Sequence, residues 1–587
     1  MLTLQPEIEA WVHTLIQELV SHGITYVCLS PGSRSTPLVM AISAHPQLET
    51  FVHFDERSMA FHALGYAKAK RKPAIIVTTS GTACGNLLPA IMEAHESCIP
   101  LIILTADRPY ELQECGANQT TNQLNMFQNY VRWQQLLPPP EPSLSTSYLK
   151  TTIAHAIAKA TQGHPGPVHL NCMFREPFFS KASLSEETTH SLESLLFKNP
   201  YTQLFTPQNS LDEASSALLS SLLSTHEKGL ILLGYEAIDP HKQEAVSFIY
   251  ALAETLQWPI ISDVLSHVKK HPLFISYYDL ICKLLISEEL YPECIVHLGG
   301  RFVSKHLLSL LKQAHPKIYF HIAPYGRRED PLHLITHRVT MDPRHFCKDI
   351  LGKITSNHET SYLHHWQSLD HQIEHTLHHF FKTQPTCSEP HLFHTLAQED
   401  LSHYTLFVAS SMPIRDMMNF FHPEQKPLGL YGNRGLSGID GNIATAIGIA
   451  KAVSTPLMAI IGDQTFLHDF PSLAQAKYLK HPLILLVINN DGGNIFSFLP
   501  IYERKELCEA YFIHSHGLTC FHASAMFKFH YRHYTSLDHF QGDLNTILFS
   551  SEHHLIEIQT HRDTNLNVHQ TLNALIRNHA SHTLLRR

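Results

Sequence analysis

Apolar residues along this chain fall into two rhythms, short unbroken runs and runs at helical spacing, and the two alternate. A helix is predicted over residues 5–21, closed by Gly23, and the run "ITYVCLS" follows as a strand entering the turn "PGSRST". Strand "TFVHF" leads into "DERSMAFHALGYAKA", whose apolar positions recur at helical spacing. Pro73 opens strand "AIIVTT", the turn "SGTACG" starts another helix, and "PLIILTA" is the next strand. "LPPPEP" (137–142) reads as a rigid connector, after which one more helix and the strand "PVHLNC" complete the unit. Strands that are apolar on both faces and separated by helices predict a parallel sheet covered on both sides.

Residues 181 to about 225 are polar and Ser-rich, a linker followed by a helix. A second α/β unit begins at "KGLILLGY" and includes "ECIVHLGG" and "KIYFHIAP". Residues 357–381 read as a long helix leading to a third unit with strands "YTLFVASS", "LMAIIGD" and "PLILLVINN". The expected fold class is therefore α/β, with three doubly wound parallel-sheet domains at 1–182, 183–360 and 361–587. Shifting the chain against itself by 382 positions brings the first and third units into register. Ser80-Gly81 then falls on Gly462-Asp463, Pro89 on Pro471, Ala94 on Ala476, and "PLIIL" on "PLILL". Either two βαβ units share a common rhythm, or the chain holds two related sheets whose corresponding turns differ in chemistry.

Composition narrows the partners. At 587 residues the chain exceeds a single core, and 44% hydrophobic with 16% charged residues is globular composition. A net charge of −9 without a dense Lys/Arg block argues against nucleic acid or an acidic membrane surface as partner. Glu7 and Glu9 stand where a signal peptide needs basic charge, and the apolar runs are strand-length. The 11 cysteines are scattered without a CxxC pair, which suits a reducing, cytoplasmic setting. The 46 histidines follow no metal-ligand spacing.

The chemistry starts at "IIGDQTF" (460–466), a strand running into a Gly turn where nucleotide folds usually hold phosphates. Here the turn offers a carboxylate. Read alone, Asp463 is a helix N-cap. "INNDGGNIF" (488–496) changes that reading, because it sits at the carboxyl end of the next strand, with Asn490 27 residues after Asp463. A carboxylate, an amide oxygen and a Gly carbonyl form an incomplete all-oxygen shell, which suits Mg²⁺ whose remaining ligands are phosphates. The Asp binds a metal, and the metal binds a diphosphate. "GDQT…NN" resembles the thiamin diphosphate motif, with Gln464 where the wider family has a third Gly. By that analogy Asp463, Asn490 and the Gly492 carbonyl hold Mg²⁺ or Mn²⁺, and Thr465 contacts the diphosphate.

Glu56 in "HFDERS" is a first-turn glutamate or a partner for Arg57 when read alone. A thiamin enzyme needs one carboxylate against the aminopyrimidine, and a strand-end Glu in the metal-free unit suits that task. "TSGTA" (79–83) would supply close backbone approach to the pyrimidine. Arg34, Arg108, Arg415 and Arg434 all follow strand-like stretches. Any one of them is ordinary surface ion pairing; four together suit substrates with several carboxylates. Ile439 in "GNRGLSGIDG" is a candidate apolar wedge beneath a bent cofactor.

"SPGSRSTP", "FDERS", "TSGTA", "TADRPYEL", "CGANQTTNQ", "GNRGLSGIDG", "GDQTFLHD" and "NNDGGNIFSFLP" together resemble the MenD family, thiamin diphosphate enzymes of menaquinone biosynthesis. The resemblance covers both outer domains and, weakly, the middle one. It implies thiamin diphosphate-dependent decarboxylation of 2-oxoglutarate and 1,4-addition of the resulting carbon to isochorismate. It further implies Glu56 as the catalytic carboxylate, with Ser80, Gly81, Thr82, Ile439 and Asp440 at the cofactor. Ser411, Gly462, Thr465, Ile495 and Phe496 complete the implied cofactor and pocket set. Ser33, Arg34, Arg108, Asn118, Gln119 and Lys305 match positions expected around isochorismate or the intermediate. Arg415 and Arg434, with Ser411, match positions expected around the part derived from 2-oxoglutarate. His306 stands where some relatives have a second Arg, which puts a constant charge there in doubt. The family also implies a homodimer or homotetramer with active sites between subunits. The alternatives are another thiamin-dependent decarboxylase or carboligase of the acetolactate synthase kind, or a non-catalytic scaffold on the same fold. Four arginines count against the first, and the presence of Glu56 and Asp463 against the second. No GxxxxGK[ST] exists to support a P-loop.

Overall fold

The computed structural model describes residues 3–180, 199–237, 246–267, 271–355 and 360–584. Most of the linker expected from residue 181 lies outside the described residues, as does the start of the helix expected over 357–381, which is described as Ser361–Thr383. Three parallel sheets form. The first contains β1 (Tyr26–Ser30), β2 (Glu49–Val52), β3 (Ala74–Thr78), β4 (Leu101–Asp107), β5 (Trp133–Leu137) and β6 (Pro167–Met173), in the order β2-β1-β3-β4-β6-β5. The second contains β7 (Gly229–Leu233), β8 (Ile260–Ser262), β9 (Cys294–Leu298), β10 (Ile318–Ala323) and β11 (His337–Thr340), in the order β8-β7-β9-β10-β11. The third contains β12 (Thr405–Val408), β13 (Gly429–Tyr431), β14 (Leu457–Gly462), β15 (Leu483–Asn489), β16 (His530–Tyr534) and β17 (His554–Gln559), in the order β13-β12-β14-β15-β17-β16.

The first and third sheets share one topology: second strand, first, third, fourth, sixth, fifth. The 382-residue offset carries β4 residue for residue onto β15. Every residue of β1, β3, β4 and β15 is buried, as strands sandwiched between helix layers require. Each buried Leu, Ile or Val side chain stabilises such a sheet by about 1.5–3 kcal/mol. The expected connector "LPPPEP" begins one residue late, because Leu137 closes β5.

The described residues form two compact units that do not follow chain order. One holds the chain through Thr206 together with Asn433–Ser454 and Leu467–His481; the other holds the stretches from Pro207 to Gly432, from Thr455 to Phe466 and from Pro482 onward. Within the first unit, helix α1 (Glu56–Lys70) packs along a later helix, α2 (Asn442–Ala452). The approach depends on two glycines. A Cβ on Gly65 would lie 2.1 Å from the Thr445 carbonyl oxygen, and one on Gly448 2.1 Å from that of His62. In the second unit one apolar core runs continuously under the second and third sheets, from Leu230 to Ile576. Among the described residues no helix is long and apolar enough to cross a membrane.

Candidate active site

In the first unit the site residues gather at the carboxyl ends of β1, β2, β3 and β4. Glu56 opens α1 and is half-buried, while Asp55 caps the helix by accepting from Arg57 N and Ser58 N. Glu56 Oε2 accepts from Asn86 Nδ2 at a long 3.4 Å. Arg57 instead donates through Nη2 to the His468 carbonyl at 3.2 Å. Gly81 takes φ +81°, and a Cβ there would lie 2.8 Å from Gln119 Cγ, so the turn after β3 requires glycine. Gly81 N donates to Gln123 Oε1 at 2.9 Å, and Gln123 Nε2 donates to Asn171 Oδ1 at 2.9 Å. Gln119 Nε2 donates to the Ser80 carbonyl at 2.8 Å. Arg108 joins this turn by donating to the Gln119 carbonyl at 2.8 Å and to Ser80 Oγ.

Arg34 is buried and donates to the Phe174 carbonyl at 2.9 Å and to Glu176 Oε1 at 2.6 Å, with its guanidinium over the Phe178 ring. Burial lowers the Arg34 guanidinium from its ordinary value; Glu176 opposes that shift, and the neighbouring Arg108 charge adds to it. Ser33, Thr82, Asn118 and Gln119 are exposed around this cluster.

Arg434 lies in a loop that the same unit grips firmly. Glu93, almost fully buried, accepts from Gly435 N at 2.8 Å and Leu436 N at 2.7 Å, and Lys68 Nζ donates to Asn433 Oδ1 at 3.0 Å. Ile439 and Asp440 follow, both half-buried.

β14 ends at Gly462 and a short helix, α3 (Asp463–Asp469), starts at once, its residues through Phe466 belonging to the second unit. Asp463 is 4% exposed. Its Oδ1 accepts from Gln464 N at 2.6 Å, and its Oδ2 accepts from Gly492 N at 2.9 Å and Asn490 N at 3.2 Å. The carboxylate therefore bridges the ends of β14 and β15, as the spacing of the two motifs predicts. His516 Nε2 sits 3.2 Å from Asp463 Oδ2, and this hydrogen bond pushes the imidazole up from its ordinary value. Gly492 has φ +129°, and a Cβ would lie 2.3 Å from the Ile513 carbonyl oxygen. Position 464 is helical and needs no glycine; the Gln464 amide reaches the Ile513 carbonyl at 3.1 Å.

The test for a cation is whether oxygen donors stand unused here. Asn490 Nδ2 donates to Glu389 Oε1 at 2.9 Å, while its buried Oδ1 has no hydrogen-bond partner. Among the described residues no cluster of three His, Cys, Asp or Glu side chains could hold a metal. A cation here would depend on that free amide oxygen, on the Gly492 carbonyl, which also accepts from Asn494 N at 2.9 Å, and on the lone pairs left on Asp463, an all-oxygen donor set that fits. Thr465 is buried behind Asp463; Ile495 and Phe496 are half-buried, with Phe496 5.2 Å from the Phe512 ring.

Ser411, after β12, holds φ +75° and ψ −132°, a region normally left to glycine, and its carbonyl accepts from Arg415. Lys305 is exposed at the start of the helix Lys305–Ala314, beside His306, whose Nδ1 lies 3.0 Å from Asp279. Burial would raise the Asp279 carboxyl, but hydrogen bonds from His306 and Ser304 hold it below the ordinary range. The substitution in doubt at position 306 thus has a carboxylate partner.

Four functional neighbours were not singled out in the sequence: Gln123, Glu93, His516 and Glu389. Gln123 closes the quoted "CGANQTTNQ" and could have been found there. The other three carry no local signal.

Fold and site together define a thiamin diphosphate enzyme. Three family models match in chain order: the N-terminal TPP binding domain of thiamine pyrophosphate enzymes over residues 11–130, their middle domain over 197–408, and their C-terminal TPP binding domain over 414–498. A solved benzoylformate decarboxylase from Polynucleobacter necessarius shares the fold, with a TM-score of 0.72 at 15% identity, covering 94% of this chain and 98% of that one. The particular family is narrower. The 2-succinyl-5-enolpyruvyl-6-hydroxy-3-cyclohexene-1-carboxylate synthase of Rubrobacter xylanophilus is 37% identical, covering 96% of this chain and 97% of that protein. The same synthase from Salinibacter ruber is 36% identical, covering 96% of each. The chain belongs to this synthase family.

Proposed function

We propose that this protein makes 2-succinyl-5-enolpyruvyl-6-hydroxy-3-cyclohexene-1-carboxylate and CO₂ from 2-oxoglutarate and isochorismate, in menaquinone biosynthesis in the cytoplasm. The observation that carries this reading is the likeness to the synthases over nearly the whole chain. Thiamin diphosphate, when bound, supplies the carbanion and the electron sink for decarboxylation. The chain's own residues do the rest. Glu56 holds a proton against the aminopyrimidine ring, and Gly81, which bears no Cβ, lets the backbone approach it. Asp463, Asn490 Oδ1 and the Gly492 carbonyl hold Mg²⁺ or Mn²⁺, and Thr465 contacts the diphosphate. Arg34 and Arg108 attract the carboxylates of isochorismate, with Ser33, Asn118, Gln119 and Lys305 around them. Arg415, Arg434 and Ser411 bind the part derived from 2-oxoglutarate.

The deciding experiment follows isochorismate consumption by ultraviolet absorbance, with thiamin diphosphate, Mg²⁺ and 2-oxoglutarate present together and then each omitted in turn. Consumption that requires all three supports the proposal. Release of CO₂ from 2-oxoglutarate with isochorismate left intact would keep the cofactor chemistry and reject the acceptor. No reaction from folded, cofactor-loaded protein would favour a scaffold.

The active assembly is proposed to be at least a dimer, the first domain of one chain completing the site on the third domain of another. Val52 and Phe54, just before Glu56, are 54% and 70% exposed, apolar surface that a second subunit would cover. Light scattering at assay concentration should give at least twice the chain mass of 66.6 kDa. An active monomer would refute this arrangement.

A further inference from the structure

Glu389 has no part in the scheme above, yet it is fully buried at the first turn of the helix Glu389–Ala397 and faces the metal motif. Its Oε1 accepts from two side-chain amides at once, Asn490 Nδ2 at 2.9 Å and Asn494 Nδ2 at 3.1 Å. Its own N–H donates to Asn565 Oδ1 at 3.0 Å, which fixes the helix start. An asparagine side chain has two nearly isosteric ends, one a donor and one an acceptor, and only the acceptor can ligate a cation. Which end faces the ligand depends on what holds the other. At Asn490 a carboxylate holds the NH₂ end, and the opposite end, Oδ1, is buried and unpartnered.

We infer that Glu389 is a positioning residue that locks the Asn490 amide with its oxygen turned outward to the metal. This rests on the reading of Asp463, Asn490 and Gly492 as metal ligands. Its Oε1 accepts from both amides, a role that a neutral carboxyl or amide oxygen fills equally. Without Glu389 the amide can rotate to present NH₂ to the cation, a repulsive contact. Groups that orient a ligand from behind commonly change metal affinity by about 10–100-fold.

The test titrates Mn²⁺ into the full-length protein with saturating thiamin diphosphate, reading free Mn²⁺ by electron paramagnetic resonance. Glu389→Met, which removes the acceptor and keeps the volume, should weaken Mn²⁺ by about tenfold or more. Glu389→Gln keeps an acceptor oxygen for the two amides and should stay within about threefold of the unsubstituted protein. The decisive comparison repeats Glu389→Met in an Asn490→Ala background. A residue acting through Asn490 should then cost less than about twofold, whereas general loosening of the loop would cost the same factor in both backgrounds. An unchanged affinity in Glu389→Met, equal losses in the two backgrounds, or a tenfold loss in Glu389→Gln would each overturn the inference. If Glu389→Met fails to fold, Glu389→Asp, which draws the acceptor back from the Asn490 amide, replaces it in both backgrounds with the same expectations. Asp463→Ala is the control: Mn²⁺ affinity left intact by that change would reject the metal site itself, a result distinct from failure of the Glu389 assignment.

Discussion

Glu56→Gln should bind thiamin diphosphate about as well as the unsubstituted protein and lose roughly 10²–10⁴-fold in turnover, the contribution typical of an acid–base group. The substitution keeps shape and hydrogen-bonding reach but removes the ability to hold and release a proton. Its structural cost should be small. The helix is capped by Asp55, not by Glu56, and the contact with Asn86 is 3.4 Å long. A first-turn carboxylate contributes about 0.3–1 kcal/mol through the helix dipole, so thermal denaturation should hardly move. Cofactor affinity, read by quenching of intrinsic fluorescence, separates binding from chemistry. Unchanged affinity with turnover near normal would remove Glu56 from the catalytic role. A large loss of affinity would make it a binding residue only.

Much of this architecture was legible because its central strands are buried on both faces and so must be apolar runs. β4, "LIILTAD", and β15, "LILLVIN", announce themselves in this way, and their coincidence at one offset exposed the duplicated topology. The edge strand β2 was read as "TFVHF", but the edge strands β5 and β16 escaped for the complementary reason. β5 is "WQQLL" and β16 is "HYRHY", each with one neighbour and a partly solvated face, so neither needs an apolar run. β17 is interior but was masked by Glu557, a buried carboxylate that accepts from Asn489 Nδ2, Cys520 N and Tyr531. The pairing of α1 with α2 was beyond local pattern, since it depends on two glycines 383 positions apart, Gly65 lying against the Thr445 backbone and Gly448 against that of His62.

The same division holds in the site. Ligand motifs lie on turns directly after strands, where residue type and spacing reveal them. The residues that hold those motifs in place come from distant chain. Glu93 grips the Arg434 loop from about 340 residues away, the separation being 342 to Gly435. His516 reaches Asp463 across 53 residues, and among 46 histidines nothing in its surroundings marks it. Sequence spacing marks the turns that follow strands; only the fold shows which distant residues hold those turns in place.

Asp463→Ala should abolish Mg²⁺-dependent binding of thiamin diphosphate, by at least the ~10²-fold that even indirect support of a metal ligand can be worth. The structure adds a complication. The same carboxylate accepts from Asn490 N and Gly492 N, both buried, so alanine also strands two backbone donors at about 1–3 kcal/mol each. Lost binding in that variant could therefore reflect a collapsed loop. Asp463→Asn separates the two effects. Its amide oxygen can continue to accept from the two N–H groups and only the acceptor for Gln464 N is lost, so denaturant midpoints should lie well above those of Asp463→Ala. Its remaining group toward the cation is a neutral NH₂, so metal affinity should still collapse. Cofactor titration with and without Mg²⁺, run beside urea denaturation, reads both quantities on one preparation. If Asp463→Asn retains Mg²⁺-dependent affinity, the carboxylate serves the loop and not a metal, and the diphosphate must be held by some other charge.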